Sequence, residues 1–157
     1  MNQFVRICLL LVFLPLQAEA ASCAITTPTL AFGSYDPLVA TNHDSTAVVN
    51  VSCTRTVIPT ETVNYTLTAS IGNGPSYAAR RMMSGLEILN YNVYRNAAMT
   101  QVWGNGTGGS FSITGSFRLN DTNPTRNRNH TIYGRIPPLQ NSAAGTYTDT
   151  LVMTLTF

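Results

Sequence analysis

Polar and apolar residues alternate most cleanly between positions 63 and 71. Val63, Tyr65, Leu67, Ala69 and Ile71 share one parity, and Asn64, Thr66, Thr68 and Ser70 share the other. A period of two places one set on the buried face of a strand and the other on its solvated face. The period recurs over residues 46–53, with Ala47, Val49, Val51 and Cys53 on one side. It recurs over residues 88–95, with Leu89, Tyr91 and Val93, and over 111–119, with Phe111, Ile113, Gly115, Phe117 and Leu119. Residues 24–32 predict an irregular first strand broken by Pro28, and residues 131–136 predict another strand. In the last segment Tyr147, Asp149, Leu151, Met153, Leu155 and Phe157 fall on one face. Thr148, Thr150, Thr154 and Thr156 fall on the other, with Val152 as the one apolar exception. A sheet that finishes on such a strand leaves an edge in need of a neighbour, so the C-terminal segment is a candidate docking edge.

Turn signals separate these runs: Gly72-Asn73-Gly74-Pro75, Gly104-Asn105-Gly106, residues 120–129 and Pro137-Pro138. Helical periodicity persists nowhere beyond about two turns, so no substantial helix is expected. Seven expected strands with frequent turns predict an all-β fold, a sandwich of two sheets.

The N-terminus sets the compartment. Residues 1–20 carry Arg6, an apolar run over 7–16 and Ala18-Glu19-Ala20, the layout of a secretory signal peptide cleaved after Ala20. The run is too short to span a bilayer, so no membrane insertion is expected. The mature chain is then residues 21–157, one domain with one core. Nine arginines, no lysine and seven acids give a net charge of +2, too weak and dispersed to argue for nucleic acid. Cys8 leaves with the signal peptide, and Cys23 and Cys53 remain as an even pair, for which a disulfide is the default in an oxidising compartment. Acylation at Cys23, as in a lipoprotein, is the alternative, and it would leave Cys53 without a partner.

Candidate chemistry is sparse. The acids Asp36, Asp44, Glu61, Glu87, Asp121 and Asp149 lie mostly in or beside turns, and no serine sits in a Gly-x-Ser-x-Gly elbow. His43 and His130 are isolated and no Cys-x-x-Cys is present, so neither a catalytic set nor a metal set is expected. The run Gly104-Asn105-Gly106-Thr107-Gly108-Gly109 lacks the Lys-Ser/Thr and the helix of a phosphate cradle and reads as a turn, and no cofactor is expected. Arg80-Arg81-Met82-Met83 reads as a solvated loop beside a partly buried Met. With Tyr77 and Trp103 these four form a candidate surface-contact set, although Trp103 reads first as a core or turn anchor.

Several of these stretches together resemble a known family. Leu30-Ala31-Phe32-Gly33-Ser34-Tyr35-Asp36-Pro37-Leu38, then Arg80-Arg81-Met82, then Leu89-Asn90-Tyr91-Asn92-Val93-Tyr94 are similar to the spore coat protein U domain. So are the run from Val102 to Gly109, Tyr133-Gly134-Arg135-Ile136-Pro137 and Gly145-Thr146-Tyr147-Thr148-Asp149-Thr150. The family includes subunits of archaic (Csu-type) chaperone–usher pili and coat proteins of spores. The resemblance implies an incomplete immunoglobulin-like β-sandwich completed by a donor strand, with no enzymatic activity. It implies three partners: a periplasmic chaperone, an outer-membrane usher and a neighbouring subunit that donates a strand. It places the groove for that strand along Gly145, Tyr147, Leu151, Met153, Leu155 and Phe157. It also implies passage through the periplasm to a surface fibre or coat. With only Ala21 and Ser22 before Cys23, the mature chain is expected to accept a strand rather than donate one, as a minor or terminal subunit. A coat protein, or an adhesin module binding a surface or glycan through its loops, is the other reading.

Overall fold

The computed structural model describes residues 21–56 and 60–157, so the expected signal peptide lies outside the described residues. Eight strands fold into two sheets. They are β1 (Ala21–Ile25), β2 (His43–Arg55), β3 (Thr60–Ala69), β4 (Arg80–Ser84), β5 (Glu87–Tyr94), β6 (Ile113–Asn120), β7 (Thr125–Ile136) and β8 (Met153–Thr156). One sheet has the order β1-β2-β7-β5-β4 and the other β6-β3-β8, and every strand pairing is antiparallel. The described residues include no helix, and hence none long and apolar enough to cross a membrane.

The alternating sequences land as their period dictates. Val63, Tyr65, Leu67 and Ala69 of β3 are buried, and Val49, Val51 and Cys53 of β2 face them from the other sheet. Phe117 and Leu119 of β6 and Leu89, Tyr91 and Val93 of β5 complete the interior. Tyr65 shares a 2.8 Å hydrogen bond with His130 of β7, which joins the two sheets through their polar tips. Cys23 and Cys53 are cross-strand partners in the β1–β2 register and form a disulfide, with 4.1 Å between their Cα atoms. A sulfur in that bond cannot carry a lipid thioether, which removes the acylation alternative. Linking positions separated by 30 residues restricts the unfolded chain and stabilises the fold by about 3.5 kcal/mol in the chain-entropy model.

Four expectations need correction. Residues 80–84 form strand β4, not a solvated loop: Arg80 and Met82 point inward, and an inward arginine hides the apolar alternation. Gly85, at φ 62°, and Leu86 make the two-residue turn into β5. The first strand is only five residues long, and beyond Pro28 the chain forms an extended strap instead of continuing it. The turn expected over 120–129 is shorter, because β7 already begins at Thr125. Its first five residues are exposed, so they carry polar side chains and no strand signature. The last segment is not one strand: only Met153–Thr156 pair within the three-stranded sheet, against β3.

Candidate functional site: an open groove beside the last strand

The C-terminal segment changes sheets. Thr148 exchanges two backbone hydrogen bonds with Met83 of β4, at the edge of the five-stranded sheet. Five positions later Met153 pairs with Ala69 of β3, in the other sheet. Between them the chain crosses the open end of the sandwich. Asp149 anchors the crossing by accepting hydrogen bonds from the Asn73 amide (2.9 Å), its neighbour Thr150 (2.8 Å) and the Tyr91 hydroxyl (2.7 Å). Burial, then the hydrogen bond to Asp149, pushes the Tyr91 hydroxyl far above its ordinary pKa, so it stays a donor at any physiological pH.

On the opposite side runs the strap of residues 27–35. Among the described residues no backbone–backbone hydrogen bond ties it to a strand; side chains hold it instead. Ser45 Oγ donates to the Ala31 carbonyl and His43 Nε2 to the Phe32 carbonyl, both at 2.5 Å. The Tyr35 hydroxyl donates to the Pro137 carbonyl at 3.1 Å. Leu30 and Phe32 rest on Gly134 of β7, where a Cβ would lie 2.5 Å from Leu30 and 2.7 Å from Phe32. Glycine is therefore the residue that lets the strap reach the sheet. Phe32 also meets Tyr91 edge-on, with ring centroids 6.0 Å apart.

Between the strap and the C-terminal segment lies a groove of about 1060 Å³. Val49, Ile132, Val93 and Tyr91 line it, as do Met82 and Trp103. Its wall includes the start of an unpaired edge. The Ser70 amide donates to the Val152 carbonyl at 2.9 Å, so Val152 turns its backbone toward β3. Antiparallel pairing alternates along a strand, so Thr154 and Thr156 do the same. Leu151, Met153 and Leu155 then turn their N–H and C=O groups the other way. The order β6-β3-β8 leaves that side without a neighbouring strand among the described residues. The site therefore offers apolar pockets and a row of backbone donors and acceptors side by side, the arrangement into which an added strand docks.

Of the residues assigned to this groove from sequence, Gly145, Tyr147, Leu151 and Met153 line it. Leu155 packs against the core beyond the groove, and Phe157, 56% exposed, stands clear of it. The surface-contact set does not survive as a set. Arg80, Met82 and Trp103 are buried and unavailable to a surface, while Tyr77, Arg81 and Met83 remain partly exposed. Trp103 is the anchor its position suggested: its indole N–H donates to the Leu67 carbonyl at 3.2 Å. Sequence reasoning missed the strap as a groove wall, although the Leu30/Phe32 spacing and Gly134 carried the signal. Among the described residues no three His, Cys, Asp or Glu side chains converge as a metal site would require. The glycine-rich run 104–109 closes on itself, with Phe111 bonded to Val102 and Gly104 to Phe111.

Fold and groove define a class: an all-β, immunoglobulin-like sandwich with an unpaired interior edge. The sequence profile of the Spore Coat Protein U domain matches residues 11–154, and the chain belongs to that family. It is similar to Protein U of Myxococcus xanthus, 31% identical over 136 residues that make up 82% of this chain and 72% of that protein. In fold it is similar to a chain of the chaperone–tip adhesion subunit pre-assembly complex CsuC–CsuE, from archaic chaperone-usher Csu pili of Acinetobacter baumannii. The TM-score is 0.58 at 20% identity, and the match covers 87% of this chain and 40% of that one. The chain thus spans two fifths of the length of that structural relative.

Proposed function

We propose that this protein is a non-catalytic structural subunit of a bacterial surface fibre of the archaic chaperone–usher kind, assembled by donor-strand complementation. The observation that carries the reading is the groove beside β8, lined by Leu151 and Met153, with an unpaired backbone edge that runs on past it through Leu155. A periplasmic chaperone fills the groove first, and a strand from a neighbouring subunit replaces it at an outer-membrane usher. Exposed apolar pockets and an unpaired edge explain why the subunit needs a chaperone at all. The fibre serves adhesion and biofilm formation. Support comes from the family and from the likeness to a chain of a chaperone–subunit complex.

With cleavage after Ala20, the subunit is minor or terminal. Ala21 and Ser22 then precede Cys23, and both are already paired in β1, with Arg55 and Thr54. A donor strand needs on the order of five alternating residues. Mixed with a synthetic donor peptide, the mature protein should form a one-to-one complex and stop. Fusing an alternating extension of about twelve residues ahead of Cys23 should make it polymerise. Polymers from the unmodified mature protein would contradict the terminal role. A spore or cell coat role is the second reading, favoured by the match to the Spore Coat Protein U domain. Recovery of the protein in a coat rather than in a fibre would select it.

A further inference from the structure

Arg80 opens β4 and is fully buried. A desolvated guanidinium persists only where its N–H groups find acceptors. Among the described residues none of its hydrogen-bond acceptors is a carboxylate. Nε and Nη2 donate to the Ser70 carbonyl at 3.2 and 2.7 Å, Nη2 to the Trp103 carbonyl at 2.7 Å, and Nη1 to Asn92 Oδ1 at 3.0 Å. The Tyr77 ring lies 5.3 Å from the guanidinium carbon. Burial pulls the pKa of Arg80 down, and the fields of Tyr91, Tyr77 and Asp149 oppose that fall.

The Ser70 contact reaches beyond packing. Ser70 lies just past β3, opposite Val152. Facing residues in such a pair exchange both backbone bonds. Here only one is made: the Ser70 amide donates to the Val152 carbonyl, while the Ser70 carbonyl is held by Arg80. The Val152 amide turns to Ser70 Oγ instead, at 2.9 Å. The β3–β8 ladder is interrupted at this point, and upstream of it the chain leaves for Met83 of β4. We infer that Arg80 is a positioning residue for strand capture. By withdrawing the Ser70 carbonyl from the ladder, it fixes where the C-terminal segment leaves the three-stranded sheet. That sets the register of Leu151, Met153 and Leu155 along the unpaired edge. The inference rests on the strand-acceptor reading above.

Amide exchange and peptide release, measured on the full mature chain loaded with a synthetic alternating apolar donor peptide, test it. In Arg80→Met the Ser70 carbonyl is released to the Val152 amide. Exchange at Thr148 and dissociation of the peptide should each quicken roughly tenfold or more, the scale of one lost hydrogen bond to a charged group. Ser70→Ala removes the Oγ acceptor and should quicken Val152 exchange in the wild type. In the Arg80→Met background that acceleration should vanish, because the carbonyl is free to take its place. Lower thermal stability in Arg80→Met with Thr148 exchange and peptide release unchanged would reduce Arg80 to a core residue and overturn the assignment. Equal Ser70→Ala effects in both backgrounds would do the same. Should Arg80→Met fail to fold, Ser70→Ala alone decides: it leaves the Arg80 contact to the carbonyl intact, so Val152 exchange should quicken while peptide release stays as in the wild type, and peptide release quickened roughly tenfold would give the positioning to the Ser70 hydroxyl and overturn the assignment. A wild-type chain that binds no peptide sinks the strand-acceptor reading itself, whereas binding with unaltered variants sinks only the role of Arg80.

Discussion

Thr148 and Met83 exchange two backbone hydrogen bonds, 2.9 and 3.0 Å long, across the edge of the five-stranded sheet. Five residues further on, the same chain pairs with β3 in the opposite sheet. This crossing separates the strap from β8 and leaves a groove where a closed sandwich has another strand.

Met153 faces that groove, so its chemistry is constrained. Met153→Leu keeps an apolar side chain of nearly equal size and should cost less than about 1.5 kcal/mol. Met153→Asp puts an unpaired charge against apolar walls, at a cost of several kcal/mol. Co-expressed with the cognate chaperone, the Leu variant should be recovered as a complex and the Asp variant degraded. A stable, chaperone-free Asp monomer would mean that the groove is not an assembly site.

Gly134 admits the strap. Gly134→Val should collide with Leu30 and Phe32 and destabilise by about 1–3 kcal/mol, the range for overpacking. Chymotrypsin cleavage at Phe32 and Tyr35 should accelerate as the strap lifts. Protection equal to the wild type would show that the strap is held independently of its seat on β7.

Acid should weaken the fold in a defined window. Burial, and then the charge of Arg128, hold the His130 imidazole below its ordinary pKa of 6.5. As pH falls through that value the unfolded chain takes up the proton before the folded chain does, so stability is present above it and lost below. Asp44 acts lower down: its hydrogen bond to Arg135 depresses its pKa below 3.8, so its contribution is complete above that value and fades beneath it. The denaturation midpoint should therefore drop between about pH 7.5 and about pH 5, and the drop should shrink in His130→Gln. Equal drops in both proteins would clear His130 of the effect.

Cys23→Ser should destabilise the chain by about 3.5 kcal/mol, the entropy of the opened loop. Mass spectrometry of the exported wild type should find it two hydrogen atoms lighter than its reduced form. Free thiols in the exported protein would contradict the β1–β2 bridge.

What the sequence made legible followed from burial on one face. β3, β5 and β6 announce themselves because every second residue is apolar and lands inside. β4 did not, because its inward residues are Arg80 and Met82, and an arginine satisfied by carbonyls looks like a surface residue. The first half of β7 did not, because it is exposed and polar. Alternation from Tyr147 to Leu155 assigned the faces correctly and failed only at the exposed Phe157, yet it does not tell which partner each stretch pairs with. The sheet change at Asp149 depends on tertiary contacts to Asn73 and Tyr91, which no local pattern encodes. The groove itself came from a resemblance, and only the backbone directions around Val152 locate its unpaired edge.

The central claim is that a strand from another chain completes this sandwich along β8. Residue-resolved amide exchange, with and without an alternating apolar donor peptide, reads that edge directly, and Trp103, the sole tryptophan, reports occupancy of the groove through its fluorescence. The account predicts that one equivalent of peptide protects the amides of Leu151, Met153 and Leu155 and leaves those of Val152, Thr154 and Thr156 as they were. No protection at all, or protection along the outer edge of β6 or β4 instead, would contradict it.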